Sequence, residues 1–135
     1  MTLDRKTIDK IIKYFSKRKE VAAVYLYGSY ARGEARTDSD IGLEMVLKGK
    51  TFYQFNETDK LNLSTELSTL LKQKVQTQNL AACPVEFAYK VICERKLIYS
   101  ADEKARIAFE EKLFRNYFDL KPALDEYYKY NPRKS

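Results

Sequence analysis

Two features of this chain could do chemistry together. Gly28-Ser29 closes a strongly apolar run, Val21 to Tyr27, and after ten intervening residues Asp40 opens the next one. Glycine lets a backbone come close to a ligand, and amides at the start of a helix favour anions. A serine hydroxyl at that point adds a phosphate contact. The pair therefore suits a phosphate cradle with a carboxylate nearby. Taken singly, Gly-Ser after a strand is equally a turn, and an acid before a strand is equally a cap.

Other catalytic classes are closed. The chain has no histidine, which removes His-based triads, His-metal sites and His proton shuttles. A metal would need oxygen ligands or the two cysteines. Cys83 and Cys93 are ten positions apart, fit no metal-ligand spacing and cannot build a framework of bridges. They read as two free thiols in a reducing cytoplasm.

The elements that must position Gly28, Ser29 and Asp40 follow from periodicity. Leu3, Ile8, Ile11, Ile12 and Phe15 recur at helical spacing and predict a helix over 4–19. Residues 21–27 are β-branched and aromatic, which predicts a buried strand. A short helix is expected over 29–33, ended by Gly33, then a polar loop over 35–39 and a strand over 40–47. Lys48-Gly49-Lys50 reads as a turn. A helix over 57–73 is expected, with Asn56 as its N-cap and Leu61, Leu63, Leu67, Leu70 and Leu71 as its buried stripe.

A third, weaker strand is expected over 74–80. Pro84 suits the first turn of a helix running to about Arg95, and Leu97–Tyr99 reads as a short extended piece. Ser100 with Glu103 predicts a capping box before a long helix through Phe109, Leu113 and Tyr117, with a break or kink at Pro122. The order predicts one small α/β or α+β domain: a core over 1–100 and a C-terminal helical segment over 101–135 packed on it.

At 135 residues the chain can bury a real core without staples. No apolar run approaches a membrane span, and the first residues lack a signal-peptide pattern. A cytoplasmic protein without membrane contact is expected. The formal charge is +6, compatible with nucleic acid, nucleotide phosphates or an acidic partner. Because acids are interspersed along the sequence, a solvated basic surface is expected ahead of nucleic-acid binding.

Residues 21–47 resemble the minimal nucleotidyltransferases of the DNA polymerase β superfamily, whose pattern is Gly-Ser, ten residues, then Asp-x-Asp. The local matches are Gly28-Ser29, Ala31-Arg32-Gly33 and Ser39-Asp40. Cys83-Pro84 before a helix and Leu97-Ile98-Tyr99 look like the family's later half. Tyr117-Phe118-Asp119-Leu120-Lys121-Pro122, then Tyr127, resembles the C-terminal helix of bacterial MNT antitoxins, which pair with HEPT-domain toxin RNases. The resemblance spans nearly the whole chain. It implies a polymerase-β-like fold with a small mixed sheet flanked by helices. Ser29 and Arg32, with Gly28, would contact nucleotide phosphates, and Asp40 would be the catalytic metal ligand.

The chain departs from that pattern where the family holds two divalent metals with three acids. Residues two apart on a strand share a face, hence Asp-x-Asp. Here the segment reads Asp40-Ile41-Gly42. The third acid is expected at Gln76, and residues 74–82 contain no Asp or Glu. Glu44 shares the strand face of Asp40 and Gly42 but starts about 6.6 Å beyond Gly42 at about 3.3 Å per residue. Glu34, Asp38 and Glu86 are placed less well. Magnesium can bind through one or two carboxylates plus phosphates, so weak or absent binding of Mg2+ and ATP is expected.

Two function classes follow. One is an antitoxin that neutralises a HEPT-like toxin mainly by contact, as a hetero-oligomer or homodimer, with impaired transfer. In that case Tyr127, Tyr128 and Tyr130 serve an interface or pack on the chain's own core. The other is an active Mg-dependent adenylyltransferase moving AMP from ATP to a toxin tyrosine, with Glu44 or another acid completing the site. A small-molecule nucleotidyltransferase would normally carry a further substrate domain. Direct RNA binding rests on net charge alone.

Overall fold

The computed structural model describes residues 2–49, 55–94 and 96–130. In chain order the elements are α1 (Arg5–Ser16), β1 (Val21–Tyr27), β2 (Ile41–Leu47), α2 (Glu57–Leu71), β3 (Val75–Asn79), a 3₁₀ turn (Leu80–Ala82), α3 (Val85–Glu94), β4 (Leu97–Ser100) and α4 (Glu103–Tyr130). The four strands form one mixed sheet in the order β3-β2-β1-β4. β1 runs antiparallel to both its neighbours, whereas β2 and β3 are parallel. A parallel pair cannot be joined by a tight turn, and α2 supplies the crossover.

Each face of the sheet carries a helical layer. On the first face, Ile11 and Phe15 of α1 and Leu63 and Leu67 of α2 pack against Val24, Leu26, Ile41, Leu43 and Met45. On the second, Ala88, Val91 and Ile92 of α3 and Leu113 of α4 pack against Ala23, Tyr25 and Val46. β1 is central and covered on both sides, which is why its sequence is apolar throughout rather than alternating. Each fully buried aliphatic side chain contributes about 1.5–3 kcal/mol.

Local chemistry sets the helix ends. Asp4 caps α1 by accepting from the Thr7 amide at 2.8 Å. Asn56 and Asp59 form a reciprocal capping box at the start of α2, at 2.9 and 3.1 Å. α2 stops at Leu71 because Lys72 takes a left-handed conformation, φ 54°. Ser64 and Ser68 of α2 accept from the Thr77 and Val75 amides at 3.1 and 2.9 Å, which fixes β3 against its helix.

Several expectations are corrected. Residues 29–33 form a run of hydrogen-bonded turns rather than a helix, because Gly28 (φ +90°) and Gly33 (φ +71°) bracket the segment in non-helical conformations. Leu61 and Leu70 are exposed, at 65% and 42%, while Leu63 and Leu67 alone of the expected leucine stripe are fully buried. The predicted Ser100–Glu103 box is absent: Ser100 is the last residue of β4, and Asp102 instead accepts from the Ala105 amide at 3.0 Å. α4 continues through Pro122. The ring removes the donor for the Phe118 carbonyl, on a part of the helix where Phe118 itself is 56% exposed. Lys50 of the expected turn and Arg95 of the expected helix end lie outside the described residues.

α4 is tied to the rest of the molecule along its length. The Tyr25 hydroxyl donates to Glu110, which also pairs with Arg106. Tyr117 stacks on Tyr89 with ring centroids 3.7 Å apart, and the Tyr128 hydroxyl donates to Glu86. Tyr128 therefore packs on the chain itself, whereas Tyr127 and Tyr130 keep 48% and 70% of their surface exposed. Among the described residues no helix is long and apolar enough to cross a membrane.

Candidate functional site: a carboxylate–amide cleft on the sheet

The second face of the sheet holds a small open cleft, about 220 Å³, where α3 does not cover the first residues of β2. Register builds it. Gly42 stands between Tyr27 on β1 and Gln76 on β3, and one pleat along, Glu44 stands between Tyr25 and Gln78. Period-two alternation puts Gly42, Glu44, Gln76, Gln78 and Tyr27 on one face. Asp40, just before β2, and Gly28, just after β1, close one end, and Phe87 of α3 forms the wall. Phe87 meets Tyr27 edge to face with centroids 4.8 Å apart.

Asp40 is engaged by its neighbours. Its Oδ2 accepts from Gln76 Nε2 at 3.0 Å, and Lys74 Nζ lies 3.8 Å from the same oxygen. The Gly28 turn is held beside it by the Gln73 side chain, which donates to the Tyr30 hydroxyl and, at 3.0 Å, to the Ser39 carbonyl. Within the turn, the Gly28 carbonyl accepts from the Ala31 and Arg32 amides at 3.0 and 3.2 Å. Gly42 is tightly enclosed: a Cβ at that position would sit 2.9 Å from the Tyr27 carbonyl oxygen.

Glu44 forms the buried end of the cleft. It is 4% exposed, and burial pushes its carboxyl up to about 7, an effect that Lys60 partly offsets. In the orientation that satisfies both groups, the Gln78 amide nitrogen lies 3.3 and 3.2 Å from the two Glu44 oxygens. Burial and the nearby Glu44 charge push the Cys83 thiol up to about 11, so it stays protonated and weakly nucleophilic.

The structure thus brings Gly28, Asp40, Gly42, Glu44 and Gln76 to one cleft. Ser29 and Arg32 do not line it. Arg32 points elsewhere, with Nε 3.3 Å from Glu34 and a terminal nitrogen 3.8 Å from Glu94. Of the other acids considered as substitutes, Glu34 is taken by Arg32, Glu86 by Tyr128, and Asp38 lies in an exposed turn. No group of three or more Asp, Glu or Cys side chains is close enough to hold a metal among the described residues. Sequence reasoning missed Tyr27, Gln78 and Phe87. The period-two rule, applied outward from Gly42 and Gln76, would have found the first two. Phe87 is brought in only by the packing of α3.

Comparison with known proteins agrees with this architecture. The family model described as "Polymerase beta, Nucleotidyltransferase" matches residues 9–104. A comparison with curated proteins gives no significant match. Among solved structures, the chain is similar to a chain of a toxin–antitoxin crystallised with AMP-PNP, with TM-score 0.68 and 17% identity over 88% of this chain and 96% of that one. It is also similar to a chain of the toxin–antitoxin MntA–HepT, with TM-score 0.63 and 16% identity over 91% and 97%. A third similar chain comes from a tri-AMPylated Shewanella oneidensis HEPN toxin in complex with MNT antitoxin, with TM-score 0.64 and 16% identity over 92% and 98%. Those likenesses establish a shared fold from α1 into the long C-terminal helix. With the strand–turn–strand frame of Gly28 and Asp40 lying inside the matched region, the chain belongs to the polymerase β nucleotidyltransferase family.

Proposed function

We propose that this chain is an MNT-type antitoxin that neutralises a HEPT-like toxin in the cytoplasm mainly by binding it, with nucleotidyl transfer impaired. The observation that carries this reading is the pairing of Asp40 with Gln76 across Gly42, in a fold shared with chains from toxin–antitoxin complexes. Two-metal phosphoryl chemistry needs several carboxylates converging on one point. This cleft offers one partly exposed carboxylate, already bonded to an amide, and a buried one whose ionisation is disfavoured. That donor set does not suit two Mg2+ ions. At most, Asp40 would share one ion with the phosphates of a weakly bound ATP.

The exposed aromatic residues Phe118, Tyr127 and Tyr130 on α4 are of the types enriched where partners meet, which fits a contact antitoxin. The test is co-expression with a HEPT-like toxin. A complex that survives size exclusion at micromolar concentration, with no AMP added to the toxin, is the expected result. Absence of association removes the antitoxin reading. AMP transfer from ATP at about one turnover per second or faster removes the impaired-enzyme part.

One observation favours the second reading, an active adenylyltransferase directed at a toxin tyrosine: Glu44 does line the same cleft as Asp40. On that reading Asp40→Asn and Glu44→Gln each abolish transfer, and activity unchanged by either dismisses it.

A further inference from the structure

The strongest unassigned feature lies on the opposite side of the sheet from the cleft. Lys6, Lys10, Lys13 and Lys17 are all exposed on α1 and its C-cap. At 3.6 residues per turn they fall within an arc of about 60°, and at 1.5 Å per residue the row is about 16 Å long. The buried residues Ile11 and Phe15 occupy the opposite arc. No ion pair engages any of the four among the described residues, because the neighbouring acids are committed elsewhere. Asp9 pairs with Arg5 at 3.2 Å, Glu66 with Arg18 at 2.7 Å, and Asp4 caps the helix through Thr7. Although acids are interspersed in the sequence, the helix sorts these four cations into one line, which the Asp4 charge offsets only in part, at Lys6 and Lys10.

We propose that this lysine row binds the phosphate backbone of a nucleic acid without reading its sequence. The row has no apolar or aromatic centre, and lysine is depleted at protein–protein interfaces, so an acidic protein surface is the poorer fit. It also lacks the bidentate arginines and stacking rings that read bases. A linear array of point charges suits evenly spaced phosphates, with affinity arising from counterion release. Because α1 and the cleft lie on opposite faces of the sheet, a nucleic acid on α1 leaves the cleft and α4 free.

The test is fluorescence anisotropy of the full chain with a labelled 20-nucleotide RNA single strand and, separately, a DNA duplex. With four phosphates neutralised on a single strand, the slope of log affinity against log salt is about −3, so affinity falls about 50-fold between 50 and 200 mM salt. Substituting all four lysines, K6Q/K10Q/K13Q/K17Q, abolishes that salt-dependent binding. Removing four other exposed lysines, K72Q/K90Q/K104Q/K112Q, leaves most of it. Circular dichroism confirms that both variants are folded. Tighter binding to the duplex than to the single strand at equal salt identifies DNA as the favoured source of the phosphates, and tighter single-strand binding identifies RNA. No binding to either at 50 mM salt up to about 100 μM, equal loss in both variants, or loss of toxin association alone in the first variant overturns the proposal.

Discussion

Replacing Glu44 with glutamine should make the protein more stable at neutral pH while changing little under mildly acid conditions. Glu44 is 4% exposed, and burial raises its carboxyl from an ordinary 4.5 to about 7. The folded chain therefore holds a proton that the unfolded chain has released between these values. The stability attached to that proton is fully present below about pH 4.5 and lost as pH rises through 7. A difference of about 2.5 units at about 1.36 kcal/mol each gives about 3 kcal/mol lost between pH 4.5 and 7.5. Glutamine keeps the shape and stays neutral, and its amide can still bond to Gln78. The variant should exceed the parent by about 1 kcal/mol or less at pH 5 and by up to about 3 kcal/mol at pH 7.5, about 10 °C in Tm for a chain of this size. Urea denaturation of both proteins from pH 5 to 8.5 measures the difference directly. Stability curves that run parallel within about 0.5 kcal/mol, the usual scatter of a neutral surface change, would refute the claim that an ionisable carboxyl is held neutral there.

Other substitutions test the remaining geometry. Gly42→Asp places a Cβ 2.9 Å from the Tyr27 carbonyl oxygen, so β1 and β2 must spread, and the variant should lose about 1–3 kcal/mol in urea denaturation. Adding Gln76→Asp to it supplies three acids, and calorimetry should then detect Mg2+ binding that Gln76→Asp alone does not give. Gly28→Ala meets no atom within 4 Å but must adopt φ +90°. Its cost of about 1–2 kcal/mol is therefore purely conformational, read from the same denaturation curves. Tyr25→Phe removes the hydroxyl that donates to Glu110. It should destabilise by about 1–2 kcal/mol and speed amide exchange in the first turns of α4, while leaving the cleft unaltered.

Much of the fold was legible because short-range chemistry and burial agree. Val21–Tyr27 is apolar at every position, as a strand covered on both faces must be, and β1 occupies those residues. Asn56 caps α2 because its side chain reaches an amide three residues ahead, which sequence spacing alone ensures. Where several residues compete for one role, spacing was insufficient. Ser100 and Asp102 could each cap α4. Pairing of Ser100 with Ala23, and the Ala101 and Asp102 amides both donating to the Ala22 carbonyl, hold Ser100 in β4 and leave the cap to Asp102. Leu61 and Leu63 are two apart on a helix, so both could not face the sheet, and only docking decides that Leu63 does.

The candidate site divides the same way. Sequence by itself determined that Gly28-Ser29 and Asp40 lie between two consecutive strands, at the end of one and the start of the next, and that histidine chemistry is impossible. It also determined that no Asp or Glu occupies 74–82, because these are matters of residue type and short spacing. Tertiary structure alone decided that Gln76 lies against Asp40, since that contact depends on the parallel β2–β3 register set across a crossover helix. It likewise decided that Arg32 turns to Glu34 and Glu94 and away from the cleft. Finally, it decided that Glu44 is buried, because a carboxyl's ionisation depends on how much water the surrounding fold leaves around it.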